Sequence, residues 1–208
     1  LMEAHWASAH LLVHLGRFDE GLEQARQMRE LDPLSPMVNA IYAGLLTAAG
    51  QSGAAKKQVQ RALELRPGFW VALQVRSGLS LDRGDTAAAV ADIDSAVDNS
   101  HRASQILALQ AVTPAAAGNR ALPQEILREL QTRRAGRHVP ATSFAAVHAA
   151  LDDTDAALDE LERAYRERDI RMAFMKVDAR WNALRPQPRF QALARRMGLE
   201  GDHGYSRL

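Results

Sequence analysis

The sequence predicts an all-α chain, a right-handed α-solenoid of about five stacked helical hairpins closed by a C-terminal capping helix. Three observations carry that prediction. Alanine, the strongest helix former, fills 38 of the 208 positions. Glycines stand at 16, 50, 84 and 118, each 34 residues after the last. Apolar residues between them return at helical spacing rather than in strand alternation.

One periodic glycine column is weak evidence, but other columns keep the same step. From Gly118 it lands on Asp152. From Ala9 it meets Ala43, Ser77, Ala111 and Ala145, small each time. Gly21 leads to Ala55, Ala89, Pro123 and Ala157, and Met28 to Ala62, Ala96, Leu130 and Ala164. Ala25, Val59, Ile93, Leu127 and Leu161 form an apolar column. Pro33 and Pro67 repeat once, after which that column decays to His101 and Ala135. The chain therefore divides into five units, 2–35, 36–69, 70–103, 104–137 and 138–171. Together they make a solenoid over 1–171, with a cap over 172–199 and a disordered end over 200–208.

Each unit reads as two helices. In the first, Ala4 to Leu15 carries Ala4, Leu11, Leu12 and Leu15 on an apolar stripe. Gly16 comes next, where a left-handed residue ends a helix at no steric cost to glycine. Asp19 and Glu20 then suit the first turn of the second helix, at its positive dipole end; that helix runs to about Leu31 and stops before Pro33. The grammar recurs at Gly50 and Pro67, at Gly84 and Asp85, and at Asp152–Asp155 ahead of Ala156–Arg168. The small columns predict a close seam, with Ala9 and its equivalents facing Gly21 and its equivalents. The fourth unit departs: Pro114 is expected to shorten or bend its first helix, whereas Pro123 is tolerable if it opens the second. In the tail, Phe190, Leu193, Met197 and Leu199 share one side of a helix starting near Pro188. That helix would cover the last unit's apolar face, with Trp181 and Leu184 plugging the seam.

Thirty-four residues, two helices, small residues at the crossings and a closing proline resemble the tetratricopeptide repeat (TPR). The resemblance is strongest at Leu15-Gly16-Arg17-Phe18-Asp19-Glu20 and Leu31-Asp32-Pro33. The stretches Ala164–Arg168, Lys176–Asp178, Leu184–Phe190 and Met197–Leu199 are similar to the C-terminal end of TPR regions in bacterial multidomain regulators. In those proteins the repeats come after a winged-helix, nucleotide-cyclase or Ser/Thr kinase domain. That resemblance implies a regulatory arm in bacterial signal transduction or transcription regulation, whose partner could include its own output domain.

Composition narrows the chemistry. Lys plus Arg number 26 against 25 Asp plus Glu, a net charge of +1, which argues against a nucleic-acid partner. Zero cysteines exclude disulfides and thiol or cysteine–zinc chemistry. No apolar run approaches a membrane span, and no basic-then-apolar leader precedes the first helix. The expectation is a cytoplasmic protein, and the opening Leu1 suggests a piece of a longer one.

Gly50–Lys57 superficially looks like a phosphate loop, but lacks the glycine immediately before its lysine and any preceding strand. Asp153 and Asp155 lack the rest of a calcium loop and read as helix caps. His10 and His14 lie one turn apart, with His5 a turn and a half from His10, too few ligands for zinc, so no metal or cofactor is expected. Arg180, Arg185, Arg189, Arg195 and Arg196 occur in an acid-free stretch over 179–199. It reads as the solvated face of a capping helix ahead of a phosphate or acidic-partner contact.

The TPR resemblance implies that first helices line a concave groove for a peptide or partner helix. Here that groove would be Trp6, His10 and His14, then Met37, Ala40, Ile41 and Gly44, then Gln74 and Gly78, then Gln105 and Ala108. It is apolar, with amide and imidazole contacts. The places of the Lys and Asn that clamp a terminal carboxylate hold Trp6 and His10, so that clamp looks absent. Trp6 has a second reading, packing against a preceding repeat or domain. The leading function is a non-enzymatic protein–protein or peptide interaction module. The alternatives are a self-association platform, hence a homo-oligomer, or an enzyme with an unrecognised site.

Overall fold

The computed structural model describes residues 2–115 and 119–199; Gly118 and the 200–208 end lie outside the described residues. Among the described residues eleven α-helices succeed one another, with no strand. They are α1 (Met2–His14), α2 (Phe18–Leu31), α3 (Pro36–Ala48), α4 (Ser52–Leu65), α5 (Trp70–Leu81), α6 (Thr86–Asn99), α7 (Ser104–Ala115), α8 (Ala121–Arg134), α9 (Ala141–Ala150), α10 (Thr154–Arg166) and α11 (Pro188–Arg196). Short 3-10 helices at Ile170–Phe174 and Ala179–Trp181 lead into α11. Successive helices pair as five hairpins. The chain divides into two compact units, the first carrying α1–α6 and the second α7–α11. No described helix is long and apolar enough to cross a membrane.

The 34-residue period has a backbone cause. Gly16, Gly50 and Gly84 take φ of 80°, 73° and 76°. After each, the next amide donates back to a carbonyl five residues earlier: Arg17 to Leu12 at 2.8 Å, Gln51 to Leu46 at 2.8 Å and Asp85 to Ser80 at 2.9 Å. That bond satisfies a carbonyl the helix end would otherwise leave open. The fifth hairpin repeats it with a different residue: Asp152 has φ 60°, and Asp153 N–H donates to His148 O at 2.9 Å. The turn at Gly50 thus belongs to a hairpin, not a phosphate loop. Asp153 caps α10, its carboxylate accepting from Ala156 N–H at 3.3 Å. Ser35 caps α3 in the same way through Val38 N–H.

The small-residue seam is real and tight. A Cβ at Gly21 would lie 2.6 Å from Val13 Cγ2 and 3.0 Å from Ala9 O, so α1 and α2 meet where the columns predicted. In the third hairpin the equivalent pair is joined by a hydrogen bond, with Ser77 Oγ donating to Ala89 O at 2.8 Å. Ala43, Ala55, Ala111, Ala145 and Ala157 are all fully buried.

Within the first unit α3 packs on α1 and α2, and α5 on α3 and α4. Ala9, Val13, Ala25, Ala43, Leu45, Val59, Ala72 and Leu79 belong to one continuous core. In the second unit α9 packs on α7, α8 and α10, and all seven residues 141–147 are buried. Arg134 ties the second unit together: it forks onto Glu160 at 2.7 and 2.8 Å and lies 3.3 Å from the Phe144 ring centroid.

The fourth hairpin differs from the sequence reading in two places. Helix α7 is not shortened, since it continues through Pro114 to Ala115. A proline lacks the N–H that would close its own turn, and only Ala115 follows it in the helix. Leu127 is only half-buried while its neighbour Ile126 is buried; Leu130 is buried like Met28, Ala62, Ala96 and Ala164 in its column. Pro123 sits buried in the first turn of α8, where no intrahelical N–H is required.

Pro188 opens α11; Phe190 and Leu193 are buried, as are Trp181 and Leu184, while Met197 and Leu199 are half-buried. The arginine stretch is not simply a solvated face. Arg189 donates to Glu162 at 3.0 Å and Asp159 at 2.6 Å, fastening α11 to α10. Arg196 lies 4.6 Å from the Tyr165 ring centroid. Arg180 pairs with Asp178, and Arg185 donates to Asp178 O at 3.2 Å. The acids they need lie outside the segment, which is why an acid-free stretch looked unpaired.

Candidate partner groove

The groove reading places its residues on the first helices of the hairpins. In α1, Trp6 and His10 are one turn apart and their rings touch, with centroids 4.9 Å apart and planes tilted by 57°. Trp6 keeps 46% of its surface exposed. His10 is half-buried, and that burial pushes its imidazole below the usual range. The ring is therefore neutral near pH 7, able to donate from one nitrogen and accept at the other. His5 turns toward α2, its Nδ1 2.8 Å from Gln24 Oε1. The side chain of His14 lies outside the described residues. No group of three or more metal-ligating side chains converges among the described residues.

Further along, Met37 at the start of α3 is 45% exposed. Ile41 is partly buried against the core. Gly44 and Gly78 leave bare backbone: a Cβ at Gly44 would make only an ordinary contact with Val75, 3.9 Å away, and one at Gly78 would meet nothing. Gln74 is half-buried. Ala40 must be corrected, because it is fully buried. It contributes packing beneath the surface and cannot touch a ligand. The same correction applies to Ala108, fully buried in the second unit, where Gln105 is half-buried. Both are small residues at inter-helix contacts, a role sequence spacing cannot separate from a groove floor.

The first unit thus offers an aromatic pair, an exposed thioether, an amide and two strips of uncovered backbone. Such a surface suits hydrophobic anchors and hydrogen bonds rather than ionic capture. In the second unit, Val112 and Ala115 of α7, Ala149 and Ala150 of α9, and Asn182 and Ala183 frame a pocket of about 560 Å³. It is rimmed by Arg120, Asp152 and Arg180, of which Arg120 and Asp152 pair with each other.

Sequence reasoning missed another depression. A pocket of about 740 Å³ opens in the first unit among α4, α5 and α6, lined by Lys56, Leu63, Arg76, Leu79, Arg83 and Asp92 among others. Arg76 and Asp92 close on each other across two hydrogen bonds of 2.8 and 2.6 Å. Their separation of 16 residues matches no repeat offset, so no sequence signal pointed there.

No protein-family model and no curated protein sequence matches this chain. Solved structures do resemble it in shape. The Pseudomonas aeruginosa protein PilF superposes with a TM-score of 0.52 at 13% identity, covering 94% of this chain and 90% of that one. A tetratricopeptide repeat protein from Parabacteroides merdae gives 0.50 at 12% identity, over 97% and 80%. A Naa15/Naa10 complex bound to HypK gives 0.50 at 15% identity, over 94% of this chain but 36% of that one. At such identities the likeness establishes the fold, an all-α arrangement of TPR-like hairpins, and nothing of the ligand.

Proposed function

We propose that this chain is a non-enzymatic interaction module whose first unit captures an extended peptide or a helix of a protein partner along α1, α3 and α5. The observation that carries the reading is the contacting, half-open Trp6–His10 pair of α1, with Met37 also exposed at the start of α3. Large aromatic side chains in partly buried settings are the usual anchors of binding surfaces. A regulatory arm in a bacterial signalling or transcription regulator is the setting we infer, supported by the resemblance of the tail.

Peptide display against the whole chain tests the capture. Enriched peptides should carry an apolar anchor and lose about tenfold in affinity on Trp6→Ala, roughly 1.4 kcal/mol. Gln74→Glu should weaken them as well, with the far-ultraviolet spectrum unchanged in both variants. Peptides that bind both variants as tightly as the native chain would move the site off this groove.

A further inference from the structure

Where α4, α5 and α6 meet, the third hairpin departs from the packing of the second. In the second, α3 carries Tyr42 and Leu46 on this side. Leu46 is buried, and Tyr42 is partly buried against the core, with the Arg29 guanidinium of α2 5.7 Å from its ring centroid. One repeat later the same columns hold Arg76 and Ser80. Arg76 forks onto Asp92 of α6, and Ser80, buried in its turn, is much smaller than Leu46. An aromatic ring and an isobutyl group are exchanged for a bound guanidinium and a hydroxymethyl group. The pocket of about 740 Å³ opens where their volume is missing.

Its lining is amphipathic. Val59 and Leu79 are buried and Leu63 is half-buried, an apolar floor drawn from α4 and α5. Both acids of the lining are engaged, Asp92 by Arg76 and Glu64 by Arg61 at 3.5 Å. The cations outnumber them. Lys56 and Arg83 pair with no carboxylate among the described residues. Arg83 donates instead to the Ser80 hydroxyl at 3.3 Å, so its guanidinium lies against a residue of the pocket itself.

We propose that this pocket binds a small amphipathic carboxylate, its hydrocarbon body over Val59, Leu63 and Leu79 and its head taken by Lys56 and Arg83. The volume falls within the roughly 300–1,000 Å³ of small-molecule sites. Two cations without acids, beside an apolar floor, complement one negative charge on an apolar body. A peptide suits the pocket less well. Its backbone would bring N–H and C=O groups over a floor whose one hydroxyl is already engaged by Arg83, and polar groups buried without partners are costly. The site is independent of the groove: Arg76, Ser80 and Arg83 share one side of α5, and Gln74 and Gly78 fall about half a turn away. A ligand seated here bridges the second and third hairpins.

Calorimetric titration of the whole chain with octanoate tests the proposal, with 1-octanol and octylammonium as neutral and cationic controls. Octanoate should bind one to one, and about tenfold more tightly than either control, the contribution of a charge-assisted head contact. Ser80→Leu restores the residue type the column carries at Leu46; it should keep the native helicity and weaken octanoate by about tenfold or more, because the cavity is filled. Arg83→Gln, at an exposed position, should weaken octanoate by roughly tenfold and leave 1-octanol unchanged; it decides the matter if Ser80→Leu folds poorly. Trp6→Ala should bind octanoate like the native chain, so failure of the groove reading and failure of this one are told apart. Octanoate that does not bind, binds no more tightly than 1-octanol, or binds both pocket variants at native strength overturns the proposal. Selected peptides that lose affinity on Ser80→Leu, with no binding of octanoate, overturn it in favour of a peptide.

Discussion

The second and fifth hairpins make the same turn and end with different surfaces. Between α3 and α4 the left-handed residue is Gly50, which has nothing within 4 Å of where a Cβ would stand. Between α9 and α10 it is Asp152, which pairs with Arg120 while keeping φ at 60°. The backbone is the same because the same amide-to-carbonyl bonds close it. Aspartate visits this region at less cost than most residues that carry a Cβ. The first helices diverge further. Met37 of α3 is 45% exposed, whereas Val139, three repeats on in the same column and just ahead of α9, is 3% exposed. In the fifth hairpin Thr142 donates to Asp169 at 2.6 Å, and α9 packs against the 3-10 helix Ala179–Trp181. One repeat column can therefore be open surface in one hairpin and core in another, according to the segments that pack around it.

The sharpest way to break that contrast is to remove the cap's anchor. Trp181 is almost fully buried, and Trp181→Ala should cost about 3–5 kcal/mol, read as a lower midpoint in urea. Amide exchange should rise in α9 and α10 and remain slow in α3 and α4. Equal exchange in both hairpins would mean the cap does not set the difference.

The turns predict a smaller asymmetry. Gly50→Ala forces a Cβ into the left-handed region and should destabilise by roughly 1–2 kcal/mol. Asp152→Gly relieves that strain but loses an exposed ion pair and loosens the unfolded chain, so it should change stability by less than about 1 kcal/mol in either direction. A larger loss at 152 than at 50 would show that the two turns are not equivalent.

The smallest expected effect is electrostatic and confined to the second unit. A hydrogen bond from Arg102, with Arg133 nearby, holds the Glu129 carboxyl below its ordinary 4.5. Because the folded-state value is depressed, the stabilisation is fully present above the unfolded-state value and disappears as pH falls through the folded one. Glu129→Gln should therefore lose under about 1 kcal/mol near neutrality and show a shallower decline in stability below pH 4.5. Parallel acid limbs for the two proteins would dismiss the contribution.

Much of this fold was legible in the chain because its signals are local. Gly16, Gly50 and Gly84 each end a helix within a five-residue bond, and Asp153 caps the next one through a neighbour three residues away. Ala9 opposite Gly21 and Ser77 opposite Ala89 were legible too, since 12 residues separate the partners in each hairpin. The candidate site was less so. Ala40 and Ala108 share a column with Trp6 but are core. Arg189 of the tail reaches back 27 and 30 residues to Glu162 and Asp159, beyond any window in which an acid could be noticed.

By itself the sequence determined the period, the helix ends, the turn conformation and the apolar sides of each helix. All of these depend on φ, side-chain volume and hydrogen bonds within a few residues. Only the tertiary structure decided which apolar sides are covered, that Leu45 is core while Leu11 is bare, and that Arg189 is a clasp. The reason is physical: a repeat pattern specifies the same faces in every unit, whereas exposure depends on the neighbour that packing brings against each one.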